Sequence, residues 1–213
     1  SSHRWLARQR KDPFVQAAKE QGLRSRAAFK LQQIDRKHRV LRRGSTVVDL
    51  GAAPGGWTQV SPRLWRGAVG SGPPAAVRGN VVVAVDLAPM DAVPGAVVVQ
   101  GDFTKAYVQD AVRSLLPGSG ADAVLSDMAP AFCGHRATDS ARSAELAWEA
   151  FQFAVKVLHY RRSCLVLKTR RGGFERDLLA ACEERFREAA FVKPPASRAD
   201  SAEIFLVCKG LLA

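Results

Sequence analysis

The chain has 213 residues, 47% of them hydrophobic, and carries a formal net charge of +12 with an isoelectric point near 10.2. This length suits one α/β domain with a substantial core, and no apolar run in the sequence is long enough to cross a membrane. The four cysteines are scattered without a Cys-x-x-Cys pair, which argues against a disulfide framework or a metal site and favours a reducing compartment.

The positive charge is concentrated at the N-terminus. Residues 1–43 contain thirteen Lys and Arg against three Asp and Glu, whereas the remaining 170 residues contain nineteen against seventeen. Such asymmetry is typical of an electrostatic contact with nucleic acid; a solvated basic face or a leftover targeting sequence is the alternative. We therefore expect a basic arm and helix over residues 1–43 that contacts RNA, followed by an α/β domain over residues 44–213.

Helices and strands alternate along the predicted chain. Residues 1–24 are expected to form an extended basic arm with some helix, and Ser25 to cap a helix over 26–37. A Gly/Pro-rich surface loop is predicted over 66–80. The other predicted helices cover 57–64, 104–116, 140–158 (with Leu146, Phe151, Val155 and Leu158 facing inward) and 174–186. The predicted strands are 45–50, 81–85, 96–99, 123–126, 164–167, 190–193 and 203–208. Because these strands are nearly continuously apolar, the pattern predicts a seven-stranded, mostly parallel sheet with helices on both faces.

The first strand ends in a glycine-rich turn, Gly51-Ala-Ala-Pro-Gly55-Gly56-Trp57. A buried strand followed by such a turn and a helix builds a nucleotide-shaped pocket in doubly wound α/β domains. The dinucleotide pattern G-x-G-x-x-G is not met, because Ala-Ala-Pro follows Gly51, and no Gly-Lys-Ser/Thr of a P-loop is present. We expect a ligand on this turn; an ordinary strand-to-helix turn is the alternative.

Polar residues stand where four later strands are predicted to end: Asp86, Asp102, Asp127 and Lys168. In open α/β sheets this edge is where ligands bind, although a single strand-end Asp is often only a helix cap. Four such positions beside one glycine turn favour a binding site. An acidic side chain after the second strand suits a ribose diol, and one after the third suits an exocyclic amine such as that of adenine.

These residues resemble the FtsJ (RrmJ-like) 2′-O-ribose RNA methyltransferases over nearly the whole chain. The matching stretches are Gly22–Ala27 with Phe29-Lys30-Leu31, Val47–Trp57, Asp86-Leu87 with Pro89-Met90-Asp91, Gln100–Phe103, Ser126–Pro130, and Lys193-Pro194 with Ser197-Arg198 and Glu203. The resemblance implies a Rossmann-like class I fold that uses S-adenosylmethionine, with the methyltransferase domain over residues 44–213.

The resemblance also implies the site residues. The catalytic tetrad would be Lys30, Asp127, Lys168 and Glu203, with Lys168 as the base or positioned acceptor for a ribose hydroxyl. The cofactor contacts would be Gly51, Gly55, Gly56, Trp57, Asp86, Asp102 and Asp127. The arginines expected to contact RNA are Arg4, Arg8, Arg10, Arg24, Arg26 and Arg198.

The resemblance further implies that the substrate is large-subunit ribosomal RNA and that the modified nucleotide is a uridine. The RNA is expected to lie within a subunit precursor, with other assembly factors as possible partners. The 66–80 loop looks longer than in bacterial enzymes, so a mitochondrial location is favoured over a bacterial-type cytoplasm.

Two segments depart from the family pattern on the substrate side. Ala131 stands where Asn is common, and Thr169-Arg-Arg-Gly-Gly173 replaces an aromatic-Gln-Gly run. The main alternative is therefore a catalytically idle member that binds rRNA as an assembly factor. A base N-methyltransferase would carry an aromatic residue at Pro130, and a C5-cytosine enzyme would need Cys133 beside Pro130; both are disfavoured.

Overall fold

A computed structural model of the chain describes residues 12–64 and 81–213. The predicted loop over 66–80 and the arginines Arg4, Arg8 and Arg10 lie outside these residues. The described helices are α1 (Pro13–Glu20), α2 (Ala27–His38), α3 (Gly56–Leu64), α4 (Ala106–Ser114), α5 (Arg136–Val157) and α6 (Glu175–Arg185). The described strands are β1 (Val47–Leu50), β2 (Val82–Asp86), β3 (Ala96–Gln100), β4 (Ala123–Ser126), β5 (Cys164–Arg170), β6 (Phe186–Val192) and β7 (Glu203–Leu211).

The seven strands form one sheet in the order β3-β2-β1-β4-β5-β7-β6. Strands β1 to β5 pair in parallel. Strand β7 is antiparallel to both β5 and β6, so within the described sheet β7 alone is reversed. The predicted seven-stranded, mostly parallel sheet is confirmed. Because β7 is reversed, its first residue lies at the edge where the parallel strands end.

Helices cover both faces of the sheet, as predicted, and among the described residues there are three on each face. On one face α4, α5 and α6 pack on the strands through Val112, Phe153, Leu178 and their neighbours. On the other face α1, α2 and α3 pack through Ala18, Leu31, Ile34, Trp57 and Val60. A strand alternates its side chains between two faces, so burial on both explains why the strands are apolar throughout. Among the described residues, no helix is long and apolar enough to cross a membrane.

The N-terminal segment is more helical than expected, and it packs into the domain. Helix α1 begins at Pro13 because the Asp12 side chain accepts a hydrogen bond from the Phe14 amide at 3.1 Å, and proline suits the first helical position. Leu31 and Ile34 of α2 lie in the same cluster as strand residues. The predicted domain boundary after residue 43 thus falls within one packed core. The RNA-contacting role of residues 1–43 stays a prediction.

The predicted cap at Ser25 is wrong. Helix α2 begins at Ala27, preceded by Arg26, which makes no capping side-chain hydrogen bond. The Ser25 hydroxyl is buried without a hydrogen-bond partner in the described part of the chain. It lies against the backbone of Gly56, where an added Cβ would be 2.2 Å from it. Packing against the glycine turn therefore decides the orientation of this side chain.

Three element boundaries differ from the predictions for identifiable reasons. Strand β5 continues to Arg170, two residues beyond Lys168, because its ladder with β7 extends to the pair of Arg170 and Glu203. Helix α5 starts at Arg136, since the His135 side chain accepts a hydrogen bond from the Thr138 amide. Strand β6 starts at Phe186 because it pairs along β7.

We expect Leu31→Ala to lower the free energy of unfolding by about 2–5 kcal/mol, since it leaves a cavity at a fully buried position. Urea denaturation measures this change. Lys37→Ala, at an exposed position of the same helix, is the control and should have little effect. A loss below about 0.5 kcal/mol for Leu31→Ala, as at surface positions, would show that α2 is not part of the cooperative core.

Candidate active site

A cavity of about 270 Å³ opens at the carboxyl ends of β1 to β4. Its walls combine the glycine turn, the residues that follow β2, β3 and β4, and one side chain of α5. The lining residues are Gly51, Ala53, Val85, Asp86, Leu87, Gly101, Asp102, Phe103, Thr104, Asp127, Met128, Ala129 and Leu146. Of the predicted cofactor contacts, this set brings together Gly51, Asp86, Asp102 and Asp127. Leu146, expected on the inner side of its helix, lines the cavity.

Gly51 is required where β1 enters the cavity. Its φ is +74°, and a Cβ at this position would lie 2.7 Å from the backbone nitrogen and Cα of Met128. No other residue fits so close an approach without displacing the segment that follows β4. Gly55 and Gly56 do not line the cavity; they pack against Arg24 and Ser25 respectively. Direct cofactor contact by those two glycines stays a prediction.

Two acidic side chains line the cavity on its β2 and β3 side. The Asp86 carboxylate accepts hydrogen bonds from the backbone amides of Ala53 and Ala88, both at 2.8 Å. Asp102 Oδ1 accepts hydrogen bonds from the hydroxyl and amide of Thr104 at 2.7 and 3.0 Å, which lower the pKa of Asp102. Its Oδ2 makes no hydrogen bond within the described part of the chain and is open to a ligand.

The lining fits an adenosine ligand. Carboxylates of this kind accept hydrogen bonds from ribose hydroxyls and from the adenine amine. Leu87, Phe103, Met128 and Leu146 supply apolar walls that suit the flat base. The sequence analysis placed Leu146 on the inner side of its helix but did not identify the other three as walls of the cavity, although each of them directly follows a site aspartate. That adjacency was the signal that could have found them.

Lys168 pairs with Asp127 beside the cavity. The Lys168 Nζ lies 3.0 Å from Asp127 Oδ1, and it also donates a hydrogen bond to the backbone oxygen of the same residue. Both side chains are mostly buried, with 11% and 16% of their surfaces exposed. Neighbouring strands carry them, since Lys168 is in β5 and Asp127 directly follows β4. A mostly buried charge needs such a partner.

A second ion pair joins Lys30 to Glu203. The Lys30 Nζ lies 2.8 Å from both Glu203 oxygens and 5.5 Å from the centre of the Phe205 ring. Ser197 Oγ donates a hydrogen bond to Glu203 at 2.8 Å. Burial raises the pKa of Glu203, but the charge and hydrogen bond of Lys30, with Lys168 and Ser197, outweigh it and leave that pKa below its ordinary value. Lys168 therefore lies close enough to act on Glu203, and the four tetrad residues are together.

Trp57 is a core residue rather than a wall of the cavity. Its side chain is 2% exposed, packs 5.8 Å from the Phe205 ring and donates a hydrogen bond from Nε1 to the Ala27 oxygen at 2.7 Å. It ties helix α2, which carries Lys30, to the glycine turn. A contact between Trp57 and a cofactor would therefore have to come from the backbone, and that contact stays a prediction.

The described arginines predicted to contact RNA have partners within the protein. Arg24 donates hydrogen bonds to the backbone oxygens of Pro54, Asp91 and Ala92, and so joins the glycine turn to the segment after β2. Asp12 forms ion pairs with Arg26 at 2.6 Å and with Arg198 at 3.3 Å. Sequence reasoning missed these contacts because the partners are distant in the chain. RNA binding by these arginines stays a prediction.

Asp49 is a buried acid that the sequence analysis did not single out. Its side chain is fully buried in β1, and its Oδ2 accepts a hydrogen bond from Thr58 Oγ1 at 2.6 Å. Its Oδ1 has no hydrogen-bond partner in the described part of the chain. Burial raises the pKa of Asp49 to about 7; the Thr58 hydrogen bond opposes this, and the charges of Asp127 and Asp86 add to it.

Two further features of the described residues lie apart from this chemistry. A depression of about 450 Å³ follows the outer strand β6 and includes His38, Glu183 and Lys209, but none of the predicted site residues. No group of three or more His, Cys, Asp or Glu side chains in the described ranges could hold a metal ion.

The doubly wound sheet with a reversed β7, with a cavity at the carboxyl ends of its parallel strands, is the architecture of the class I methyltransferases. Comparison with known proteins agrees. A sequence profile for the FtsJ-like methyltransferases matches residues 23–211. The ribosomal RNA large subunit methyltransferase E of Parvibaculum lavamentivorans is 48% identical over 210 residues, which cover 99% of this chain and 82% of that protein.

Two other known proteins are also similar. The ribosomal RNA large subunit methyltransferase E of Gluconobacter oxydans is 45% identical, over 99% of this chain and 73% of its own. The crystal structure of a candidate ribosomal RNA methyltransferase from Plasmodium falciparum has a TM-score of 0.76 at 26% identity, and the match covers 89% of this chain and 99% of that one.

The chain belongs to the FtsJ-like methyltransferase family. It is a methyltransferase with S-adenosylmethionine as its cofactor, as predicted. The expected mitochondrial location is wrong, because relatives that match nearly the whole chain at 45–48% identity are bacterial proteins. The length of one predicted loop, over residues 66–80, carries little information about location beside a match over nearly the whole chain.

The buried Asp49 predicts a distinctive pH dependence of stability. Its pKa is higher in the folded than in the unfolded chain, so the folded state holds a proton that the unfolded state releases between about pH 4 and 7. The free energy of unfolding should therefore fall as pH rises through this range, by up to about 4 kcal/mol from this group. Asp49→Asn stays neutral and should lack this loss.

Urea denaturation of both proteins between pH 4.5 and 8 measures the difference. The control is Asp110→Asn, at an exposed position, whose pH dependence should match that of the unaltered protein. Parallel curves for Asp49→Asn and the unaltered protein would contradict the assignment.

Proposed function

We propose that this protein methylates the 2′-hydroxyl of a uridine ribose in large-subunit ribosomal RNA. The observation that carries the proposal is the pair of lysine–carboxylate contacts, Lys168 with Asp127 and Lys30 with Glu203, beside an adenosine-sized cavity. A ribose hydroxyl is a weak acid and needs a positioned proton acceptor as it attacks a methyl group. The names of the similar bacterial proteins support rRNA as the substrate.

Bound S-adenosylmethionine supplies an electrophilic methyl group on a positively charged sulfur. We assign Asp86 to the ribose hydroxyls of the cofactor and the free Oδ2 of Asp102 to the adenine amine. Asp127 lines the same cavity and also pairs with Lys168, so this lysine stands next to the place of methyl transfer. The alignment of hydroxyl and methyl group on such a frame supplies much of the rate.

Lys168 accepts the proton of the ribose hydroxyl through its neutral amine, the only form with a lone pair, or it anchors the hydroxyl oxygen. Asp127 orients the Lys168 amine through the contact at 3.0 Å. Glu203 is kept ionised by its low pKa and holds Lys30 in place. The charge of Lys30 is thereby balanced by Glu203 before the cationic cofactor enters.

Two other methyltransferase chemistries, on a base nitrogen and on cytosine C5, are less well supported by the residues at this site. Pro130 occupies the position where a base N-methyltransferase would stack an aromatic side chain on the flipped base. Cys133 lies in a loop, and its thiol donates a hydrogen bond to Asp139 at 3.2 Å. This contact disfavours a role for Cys133 as a nucleophile. The ribose hydroxyl is thus the acceptor that this site suits best.

An idle rRNA-binding assembly factor is the second candidate function. Ala131 and the 169–173 segment favour it, because both depart from the family pattern on the substrate side. The intact tetrad geometry favours the enzyme. We further propose that the substrate is the rRNA of a large-subunit precursor, where other assembly factors can be partners, and that residues 1–43 contact its phosphates.

We expect Asp102→Ala to weaken S-adenosylmethionine binding about 5- to 150-fold, the equivalent of the 1–3 kcal/mol lost with a hydrogen-bond partner. Isothermal titration calorimetry measures the Kd. Asp110→Ala, an exposed acid of α4, is the control and should bind normally. Unaltered affinity in Asp102→Ala, or binding of NAD to the unaltered protein, would refute the assignment of Asp102.

We expect Lys168→Ala to reduce methyl transfer at least about 100-fold, the scale of a lost general base, while the Kd for cofactor stays unchanged. Lys168→Arg should fail as well, because a guanidinium has no lone pair to accept a proton. Ribose-methylation mapping of large-subunit rRNA, with and without the protein, provides the measurement.

Lys156→Ala, at an exposed position of α5, is the matched control. Thermal unfolding checks that the Lys168 variants fold, since they leave Asp127 without its partner. Methylation at the unaltered rate by both Lys168 variants would overturn the mechanism. An unaltered protein that binds cofactor and rRNA but transfers no methyl group would favour the assembly factor.

A further inference from the structure

The two segments that depart from the family pattern meet at the substrate side of the site. The Arg170 guanidinium carbon lies 5.0 Å from the centre of the Phe132 ring, within the distance of a cation–π contact. The Phe132 side chain is nevertheless 53% exposed. Of the cation–π pairs among the described residues, those at Phe14 and Phe205 involve partly or fully buried rings. Phe132 alone in this set presents much of its ring to solvent.

The first turns of α5 hold both segments in place. The Asp139 carboxylate accepts hydrogen bonds from the amides of Cys133 at 2.9 Å and Gly134 at 3.1 Å, and the Cys133 amide is the main cause of a lowered pKa at Asp139. The next residue, Ser140, donates to the Arg171 oxygen at 3.4 Å. Asp139 and Ser140 are both buried. Phe132 and Arg170 are therefore each next to a residue that is hydrogen-bonded to α5.

The close fit of the second segment explains its composition. A Cβ on Gly172 would lie 2.4 Å from the Ser140 hydroxyl, so this segment reaches α5 only because it carries glycine there. The amides of Gly172 and Gly173 donate to Glu175 at 3.0 and 2.7 Å. The departure from the family pattern is thus an ordered arrangement with its own contacts.

The pair lies next to the proposed transfer site. Lys168 and Arg170 are two residues apart in β5, so their side chains share a face of the strand at a separation of about 7 Å. Phe132 follows Asp127 by five residues along the segment that leaves β4. A nucleotide whose ribose reached Lys168 would have its neighbour within reach of Phe132 and Arg170.

We propose that Phe132 and Arg170 form a stacking platform for an unpaired nucleobase next to the ribose that is methylated. The platform rests on the proposed function and adds to it that the substrate is single-stranded at this point. Every base has a flat π-face, so an exposed ring binds it without sequence preference, and the guanidinium adds stacking and positive charge for the RNA backbone. In this chain the platform positions RNA beside Ala131 and residues 169–173, the two segments that depart from the family pattern.

The test uses a short oligouridylate with one 2-aminopurine, bound to the full chain with S-adenosylhomocysteine. Stacking on the platform should quench the 2-aminopurine fluorescence at one position of the strand. Phe132→Ala should remove the quenching and raise the RNA Kd about 10-fold, within the range for one base–aromatic stack. Phe132→Trp should retain both effects, whereas Phe132→Leu, which keeps the apolar surface without the π-face, should not. Tyr160→Ala is the matched control, because Tyr160 is an exposed aromatic residue near the opposite end of β5.

The outcomes separate the platform from the proposed function. Unchanged RNA affinity and quenching in Phe132→Ala would overturn the platform, even if the unaltered protein methylates ribose. Quenching that depends on Phe132, in a protein that transfers no methyl group to rRNA, would support the platform and reject the proposed function. Unchanged cofactor Kd and unfolding temperature in each variant show that a loss does not come from misfolding.

Discussion

The backbones of Gly51 and Met128 approach so closely that no side chain fits between them, and the site depends on this contact. It brings the turn after β1 against the segment after β4, which closes one wall of the cavity and sets the position of the adjacent Asp127. Lys168 then pairs with Asp127 across neighbouring strands. The proposed cofactor cavity and the proposed proton acceptor are consequently placed by one piece of backbone.

The charged side chains of the site are arranged in lysine–carboxylate pairs. Two lysines and two carboxylates pair in a mostly buried setting, where isolated charges would be costly. The low pKa of Glu203 keeps the Lys30 pair ionic. Asp49 contrasts with them, since it lies deeper in the same sheet with a pKa of about 7 and forms no ion pair with any described residue. Protonation relieves the cost of burying the Asp49 carboxylate. The free energy of unfolding is therefore lower at neutral pH than at acidic pH.

The basic N-terminal region shows how net charge can mislead about individual residues. The excess of arginine there is real, and it favours a nucleic-acid partner. Yet Arg24 links two loops beside the cofactor cavity, while Arg26 and Arg198 share Asp12. These three guanidinium groups therefore stabilise the fold, whatever they contribute to RNA binding. The Arg170 and Phe132 pair, far from this region in the chain, offers an aromatic surface that charge alone would not reveal.

The sequence by itself determined the sheet, its helical cover and a ligand site at the strand ends, because apolar strands, a glycine turn and acidic strand ends are local patterns with local causes. The Asp86 and Asp102 positions followed from the same rule. The identity of the cofactor came from the family resemblance. The tetrad members Lys30 and Glu203 came from family resemblance, since no local pattern joins residues 173 positions apart. Tertiary structure decided that β7 runs in reverse and delivers Glu203 to the site, that Ser25 packs instead of capping, and that Trp57 lies in the core. Each of these outcomes depends on contacts between segments distant in the chain, and the energies of such contacts exceed the local preferences from which a sequence is interpreted.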